Sequence, residues 1–230
     1  MERYSRQIML PEIGEEGQRR LGRGSALIVG LGGLGSPVSL YLAGAGVGRL
    51  GLCDSDTVSL SNLQRQILYG ERQIGNLKAV EAAQRLSELR SDLVCELFSE
   101  GLTSENAEEI IGGYDVVVDC CDNFATRFLI SDTCRRLGKA WVYGSIEAFD
   151  GRVSTFLADS THVFDDLYPD REELVRLPVS SGGVLGAVPG AIGSIEAVEA
   201  LKIIGGFGDP LDGRLLVIDF LNNRYTVIDF

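Results

Sequence analysis

Six consecutive residues, Gly-Leu-Gly-Gly-Leu-Gly at 30–35, constrain the fold of this chain more than any other segment. The apolar run 25–30 leads into them and predicts a buried strand, and the segment 36–46, which has a proline in its first turn, predicts a helix. Asp54 follows Gly35 by 19 residues, at the end of a second apolar run. This order of strand, glycine-rich turn, helix, strand and acid is typical of a Rossmann-like nucleotide-binding fold.

The glycines of this turn allow two interpretations. Gly30, Gly32 and Gly35 have the spacing GxGxxG, and with Gly33 they would let phosphates approach the free N–H groups at the start of the helix. Asp54 would then accept hydrogen bonds from ribose hydroxyls. The other interpretation is a structural turn whose glycines only let the helix pack closely against the sheet.

Strands and helices alternate along the first two-thirds of the chain, which predicts an α/β fold with a mainly parallel sheet flanked by helices. The last third is richer in strands and predicts an antiparallel extension of that sheet. We expect one domain over residues 1–230, composed of an N-terminal arm (1–24), a nucleotide-binding half (25–138) and a second half (139–230) in which the charged, irregular segment 159–182 is mobile. The predicted strands are 25–30, 49–54, 93–98, 114–120, 140–145, 151–158, 214–220 and 224–230, and the predicted helices are 36–46, 77–90, 104–111, 125–138 and 190–206.

Charge and composition exclude several classes of function. The 21 basic and 33 acidic residues give a net charge of −12, and because such a surface repels phosphate backbones we expect no nucleic-acid partner. The N-terminal segment is too short and too polar for a signal peptide, and no apolar run reaches the ~20 residues that span a bilayer, so we expect a cytoplasmic protein without a membrane partner. The five cysteines and one histidine show no metal-ligand spacing, so we expect no zinc site.

Charged and amide side chains follow two of the predicted strands. Residues 54–66 read Asp-Ser-Asp-Thr-Val-Ser-Leu-Ser-Asn-Leu-Gln-Arg-Gln, Lys78 comes shortly after, and Asp122-Asn123 follow the most apolar strand. A nicotinamide site has no need for so many charged groups, whereas Arg65 and Lys78 can neutralise the phosphates of ATP and Asp122 can hold Mg²⁺. Taken singly, the two cations would be surface charges and the Asp-Asn pair a helix cap. Only their joint order favours an ATP site.

Together and in this order, the segments Gly-Leu-Gly-Gly-Leu-Gly, Ser-Asn-Leu-Gln-Arg-Gln and Val-Val-Asp-Cys-Cys-Asp-Asn resemble the ThiF/MoeB/HesA family, bacterial relatives of ubiquitin-activating enzymes. Residues 3–14 resemble its N-terminal arm and residues 190–204 its late helix, so the resemblance covers nearly the whole chain. It implies that MgATP adenylates the C-terminal glycine of a small ubiquitin-like sulfur carrier ending in Gly-Gly, with release of pyrophosphate. It also implies a homodimer, with 139–230 as the carrier-binding half.

The resemblance implies a role for each matched residue. Arg6 would reach the ATP of the other subunit, Asp56 would lie near the reacting phosphate, and Asp122 would bind Mg²⁺ with support from Asn123. The residues implied in catalysis are Arg6, Arg65, Lys78 and Asp122. The residues implied in nucleotide binding are Gly30, Gly32, Gly33, Gly35, Asp54, Asp56, Asn62, Arg65, Gln66, Lys78, Asp122 and Asn123.

Two departures from the family pattern limit these expectations. Many members carry two Cys-x-x-Cys pairs for structural zinc, and this sequence has neither. Val179 occupies roughly the position of a loop cysteine that can form a thioester, and Ser180 or Ser181 would be weak nucleophiles without a base. Cys120 and Cys121 end an apolar strand, where we expect them to pack. We therefore expect a protein that stops at the adenylate and a separate sulfur donor.

Several alternatives stay open. The substrate could be a short peptide C-terminus, and a folded carrier could serve thiamine, molybdopterin or another sulfur-containing product. The chain could also be a non-catalytic scaffold of a heterodimeric activating enzyme, although the intact Arg65, Lys78 and Asp122 argue against it. An NAD-dependent oxidoreductase would need an acid or base at the hydride site, and His162 lies in the irregular segment. The net charge of −12 disfavours a tRNA-modifying relative.

Overall fold

The computed structural model describes residues 2–178 and 182–230. Its strands are β1 (Ser25–Val29), β2 (Arg49–Cys53), β3 (Val94–Phe98), β4 (Val116–Asp119), β5 (Ala140–Glu147), β6 (Asp150–Phe156), β7 (Arg214–Asp219) and β8 (Arg224–Asp229). Within the described residues they form one sheet in the order β3-β2-β1-β4-β5-β6-β7-β8. Neighbours from β3 to β5 are parallel, and neighbours from β5 to β8 are antiparallel. The predicted α/β fold with its antiparallel C-terminal extension is confirmed.

Helices cover both faces of the sheet. The α-helices are α1 (Ser5–Ile8), α2 (Gly14–Arg23), α3 (Gly35–Ala45), α4 (Lys78–Leu89), α5 (Ala107–Gly112), α6 (Phe124–Leu137), α7 (Phe164–Leu167), α8 (Arg171–Arg176) and α9 (Ala187–Gly205). Because successive side chains of a strand point to opposite faces, Ile28 packs with α3, α4 and α9, whereas Leu27 and Val29 pack with α5 and α6. None of these helices, which come from the described residues, is both long and apolar enough to cross a membrane.

The helices beside the glycine-rich turn start and end at residues that suit those positions. Asn123 caps α6 by accepting a hydrogen bond from the Thr126 N–H at 2.9 Å. Gly46 ends α3 at φ 96° and Gly138 ends α6 at φ 60°, a left-handed conformation that glycine adopts without a steric penalty. Since α3 starts directly after the turn, its N-terminus lies at the carboxyl ends of the parallel strands.

The predicted strands and helices are all present, with ends displaced by up to three residues. The segment 159–182, predicted to be irregular, instead contains α7 and α8. Phe164 is fully buried there, and its ring centroid lies 5.4 Å from that of Trp141 and 5.1 Å from that of Tyr143. This aromatic contact attaches α7 to β5, and the charged sequence around Phe164 does not reveal it.

Candidate functional site

A cavity of about 620 Å³ opens at the carboxyl ends of β1, β2, β4 and β5. The sheet order places β1 beside β4, so the connections after these two strands leave in opposite directions. Ligands of open α/β sheets bind at such a switch point. The predicted residues that line the cavity are Gly30, Gly32, Gly33, Asp54, Asp56, Arg65, Gln66, Lys78, Asp122 and Asn123.

The glycine-rich turn fits both interpretations that the sequence left open, close packing of the backbone and access for a ligand. A Cβ at Gly30 would lie 2.5 Å from the carbonyl oxygen of Cys120, and a Cβ at Gly35 would lie 2.0 Å from the carbonyl oxygen of Gly30. These two glycines are therefore required for close packing of the backbone. Gly30 also lines the cavity, together with Gly32 and Gly33, and the absence of side chains there leaves space for a ligand. Gly35 itself is not among the lining residues.

Asp54 ties the glycine-rich turn to the segment after β2. Its Oδ2 accepts a hydrogen bond from the Leu31 N–H at 2.7 Å, and its Oδ1 accepts one from the Asp56 N–H at 2.8 Å. Nζ of Lys78 lies 3.9 Å from this Oδ2 and donates to Oδ2 of Asp56 at 2.8 Å. Burial raises the pKa of Asp54, and the charge of Lys78 opposes that rise. The site thus holds a buried cation between two carboxylates.

The segment after a short 3-10 helix over Leu60–Asn62 presents two further polar side chains, Arg65 and Gln66, to the cavity. Oδ1 of Asn62 accepts a hydrogen bond from the Ser59 N–H at 3.1 Å, and Asn62 is not among the lining residues. Arg65 donates to the Ser61 carbonyl at 3.1 Å. Gln66 is buried beside the glycine-rich turn, and within the described chain its Oε1 lacks a hydrogen-bond partner. An unpaired buried acceptor at a cavity wall suits a ligand that can donate to it.

Asp122 and Asn123 occupy the turn between β4 and α6. Asn123 caps α6, so the helix-cap interpretation holds for this residue, and its Nδ2 lies 3.4 Å from Oδ1 of Asp122. Asp122 is exposed and its side chain lines the cavity. Among the residues the structure describes, no group of three or more His, Cys, Asp or Glu could hold a metal ion. A single carboxylate can hold Mg²⁺ when water and substrate phosphates supply the other ligands.

Arg6 lies far from the cavity of its own chain. It belongs to α1, where the neighbouring Gln7 donates to Gln18 at 2.8 Å and to the Ala45 carbonyl at 3.0 Å. Ala45 is the last residue of α3, and Leu34, which directly precedes the first residue of α3, lines the cavity. Eleven helical residues rise by about 16 Å, so α3 separates the arm from the cavity by that length.

The sequence interpretation missed two buried charged residues beside the cavity. Arg127 lines it, and its side chain is 8% exposed. Glu196 of α9 is fully buried, and a Cβ at Gly144 would lie 2.1 Å from its carboxyl carbon. Burial, reinforced by the nearby Asp119 charge, raises the pKa of Glu196 well above its ordinary value. Charged residues in helices usually face solvent, so no local pattern indicates these two positions.

The cysteines that follow β4 are buried. Cys120 and Cys121 are 7% and 8% exposed, and burial raises the pKa of both thiols. A thiol with a raised pKa is a poor nucleophile, because the thiolate is the reactive form. The sequence prediction about Val179, Ser180 and Ser181 concerns residues outside the described part of the chain.

Comparison with known protein families decides the classification. The sequence model of the ThiF family matches residues 4–230, which is nearly the whole chain. The chain belongs to the ThiF family. Within it, the sulfur carrier protein adenylyltransferase of Thermus thermophilus is 45% identical to this ThiF chain over 231 residues, which cover 98% of this chain and 85% of that protein.

Two other ThiF-like proteins define how far the similarity extends. The Mus musculus adenylyltransferase and sulfurtransferase MOCS3 is 44% identical over 227 residues, which cover 98% of this chain and 49% of that protein. This ThiF chain thus spans about half the length of MOCS3. A crystal structure of E. coli MccB with MccA-N7isoASN matches with a TM-score of 0.86 over 99% of this chain and 72% of that chain. At 19% identity this likeness shows the fold alone.

Proposed function

We propose that this chain uses ATP to adenylate the C-terminal glycine of a small ubiquitin-like sulfur carrier and releases pyrophosphate. The 45% identity to the Thermus thermophilus sulfur carrier protein adenylyltransferase, over 98% of this chain, supports this reaction and this class of partner. The observation that carries the proposal is that Arg65, Lys78 and Asp122, which come from three separate segments, line one cavity at the switch point of the sheet.

The proposed reaction joins two anions. A carboxylate oxygen of the carrier glycine bonds to the α-phosphorus of ATP, and the bond from that phosphorus to the oxygen leading to the β-phosphate breaks. Two unit charges about 4 Å apart repel by roughly 4 kcal/mol at an effective dielectric constant near 20. Arg65 and Lys78 would offset this repulsion and stabilise the charge that develops on pyrophosphate. The carrier carboxylate is ionised at neutral pH, so the protein needs no general base.

Each remaining cavity residue has a place in nucleotide binding under this proposal. Gly32 and Gly33 would admit the phosphates to the N-terminus of α3, where free N–H groups bind anions. Asp54 would accept hydrogen bonds from the ribose hydroxyls. Asp56 would lie near the reacting phosphate, and Lys78 would exchange its hydrogen bond to Asp56 for one to that phosphate. The unpaired Oε1 of Gln66 would accept a hydrogen bond from the ligand.

Magnesium is part of the proposal, with Asp122 as its protein ligand. Mg²⁺ is held by one or two protein carboxylates and completes its coordination with water and substrate phosphates. The exposed Asp122 carboxylate in the cavity, next to the fixed Asn123, supports this assignment. When bound, the ion would supply positive charge to the phosphates. Asp122 would hold the ion, and Asn123 would keep Asp122 in place.

We propose a homodimer in which Arg6 of the partner subunit completes the site. The position of the arm at the far end of α3 supports this, because Arg6 does not line the cavity of its own chain. Met9 and Leu10, which follow α1, are 71% and 49% exposed. Large apolar side chains exposed together are typical of an interaction surface.

The carrier tail would enter from the C-terminal half of the chain. The cavity continues from the nucleotide residues to Leu177, Pro178 and Val184, which supports 139–230 as the carrier-binding half. The product would be the acyl-adenylate, with sulfur supplied by a separate donor. The burial of Cys120 and Cys121 supports this end point, because burial raises the pKa of both thiols and so disfavours the thiolate that would attack the adenylate.

The test is ATP–pyrophosphate exchange with candidate carriers. We expect exchange with a carrier that ends in Gly-Gly, and none with the same carrier lacking those two residues or with Asp122→Ala protein. Absence of exchange with every carrier, while NADH or NADPH binds, would reject the proposal in favour of an oxidoreductase. Exchange with a free peptide but with no folded carrier would replace the carrier by a peptide C-terminus.

A further inference from the structure

One buried ion pair holds the Cys121 peptide from both sides. The Cys121 N–H donates to Oδ1 of Asp119 at 3.0 Å, and the Cys121 carbonyl accepts from the Arg127 guanidinium at 2.7 Å. Nε of Arg127 lies 3.6 Å from Oδ2 of Asp119, and the side chains of Arg127 and Asp119 are 8% and 0% exposed. The pair therefore closes a ring of contacts around the residue that directly precedes Asp122.

Arg127 is itself fixed by neighbours on several elements. Its guanidinium donates to the Gly144 carbonyl of β5 at 3.4 Å, and it lies 5.4 Å from the ring centroid of Phe124 and 5.3 Å from that of Tyr143. A planar guanidinium can contact two carbonyls, a carboxylate and two rings at once, whereas a lysine ammonium is a point charge. The contact set therefore selects arginine at this position.

Asp122 is free to turn unless its neighbours hold it. The hydrogen bond that the described residues give its carboxylate is a long one, 3.4 Å from Nδ2 of Asn123. The backbone on one side is held by the Arg127 ring of contacts, and on the other side Asn123 is fixed as the cap of α6. The direction of the Asp122 side chain therefore depends on these two attachments.

We propose that Arg127, acting with Asp119 through the Cys121 peptide, is a positioning residue that directs the Asp122 carboxylate into the cavity. The catalytic meaning of this role rests on the proposed function, because Asp122 is the residue that would hold magnesium there. A buried ion pair adds little to stability compared with packed apolar residues, and its value lies in fixing one arrangement. Here the arrangement fixed is the turn between β4 and α6.

The test compares Arg127→Lys with a matched control, Arg171→Lys. Arginine contacts the Cys121 carbonyl through Nη2 and faces Asp119 through Nε, whereas lysine keeps the charge but has a single nitrogen to serve both. Arg171 also pairs with an aspartate, Asp132, but that pair is partly exposed and Arg171 does not line the cavity. Amide hydrogen exchange measured on peptides covering 119–126, and resolved to the Cys121 amide, reports how firmly the turn is held without any ligand. ATP–pyrophosphate exchange over a magnesium titration reports its effect on the reaction.

In Arg127→Lys protein we expect the Cys121 amide, whose hydrogen bond to Asp119 belongs to this ring of contacts, to exchange at least about tenfold faster, with β1 unchanged. We expect kcat for pyrophosphate exchange to fall by about 10²-fold and the magnesium requirement to rise, as misplacement by about 1 Å would produce. Metal-free ATP should bind as in wild type. Arg171→Lys should change none of these readouts.

Wild-type protection of the Cys121 amide in Arg127→Lys protein overturns the proposal, and so does lost protection of that amide together with wild-type kinetics of ATP–pyrophosphate exchange. If Arg127→Lys does not fold, the neutral double variant Asp119→Asn with Arg127→Met carries the same expectations, because it leaves no unpaired buried charge. If wild-type protein adenylates no carrier, the proposed function fails, while the hydrogen-exchange result still accepts or rejects the positioning role.

Discussion

Lys78 donates a hydrogen bond to Asp56 across 2.8 Å, although the first begins α4 and the second lies in the segment after β2. The Lys78 side chain is 6% exposed and the Asp56 side chain 71% exposed. The ammonium is thus buried at the cavity wall, and its carboxylate partner faces solvent. A phosphate that enters the cavity can replace the Asp56 contact without moving Lys78, so the cation is in place before the nucleotide arrives.

Replacing Lys78 by methionine removes this cation while keeping most of the side-chain volume. We expect kcat/KM for ATP–pyrophosphate exchange to fall by about 10²–10³-fold, as for other preorganised charged groups in active sites. Lys139→Met is the control, because Lys139 donates to the Tyr114 carbonyl outside this cavity. A Lys78→Met rate within about threefold of the Lys139→Met rate would remove Lys78 from the mechanism.

Arg6 offers a test of whether two subunits share one site. Arg6→Ala should lower pyrophosphate exchange and leave ATP binding measurable, because the residue is remote from the cavity of its own chain. Mixing Arg6→Ala with Asp122→Ala protein should restore part of the activity, since one of the two sites in a mixed dimer then has both residues intact. Native mass spectrometry of the mixture establishes that mixed dimers have formed. Mixed dimers without restored activity would place Arg6 outside the partner site.

Two glycines of α3 should respond to alanine in opposite ways. A Cβ at Gly35 would lie 2.0 Å from the Gly30 carbonyl oxygen, whereas a Cβ at Gly44 meets nothing within 4 Å. Gly44→Ala should stabilise the protein by about 0.5 kcal/mol, because alanine is the better helix former. Gly35→Ala should destabilise it by about 1–3 kcal/mol, because the backbone must shift. Urea unfolding midpoints measure both, and equal midpoints would contradict the predicted contact.

Glu196 should make stability depend on pH. Its raised pKa means that the folded protein keeps a proton that the unfolded chain loses above about pH 4.3. The unfolding free energy therefore falls as pH rises from that value toward the folded pKa, by up to about 1.4 kcal/mol per pH unit. Glu196→Gln removes this loss, so its stability advantage over wild type should be larger at pH 8 than at pH 5.

Chemical denaturation at both pH values measures the effect of Glu196→Gln. The exposed Glu71, replaced by glutamine, is the control and should show a small difference of the same size at both pH values. An advantage of Glu196→Gln that does not grow with pH would mean that the buried carboxyl is ionised in the folded protein.

The sequence predicted those parts of the fold whose signals are local. The strand before Gly30, the helix after Gly35 and the acid at Asp54 carry their own turn, periodicity and spacing signals. In the N-terminal arm (1–24), by contrast, the sequence did not predict the helix that the structure shows. The helix over Gly14–Arg23 contains three glycines, which weaken helix formation, and its burial of Gln18 and Leu21 against other elements maintains it.

The residues of the candidate site likewise divide into those that a local motif indicates and those that it does not. The residues that line the cavity from the glycine-rich turn to Asn123 were named from motifs, because each lies beside a recognisable turn or strand end. Asn62 was named from the same motif, but its side chain bonds to the Ser59 backbone instead of lining the cavity. Glu196 was missed because the residues around it, such as Cys120 and Gly144, are distant in sequence. Arg127 follows Asp119 and Cys121 closely, but its burial also needs β5, which the assembled sheet brings beside it.

The contact between Gly144 and Glu196 has a consequence for how related sequences can diverge. With glutamate at 196, any side chain at 144 would overlap the carboxyl group, since even a Cβ would lie 2.1 Å from its carbon. Position 144 is therefore not free to change before position 196. A lineage that acquires alanine on β5 must already have shortened the residue on α9, so an alignment of relatives should show the pair changing in that order.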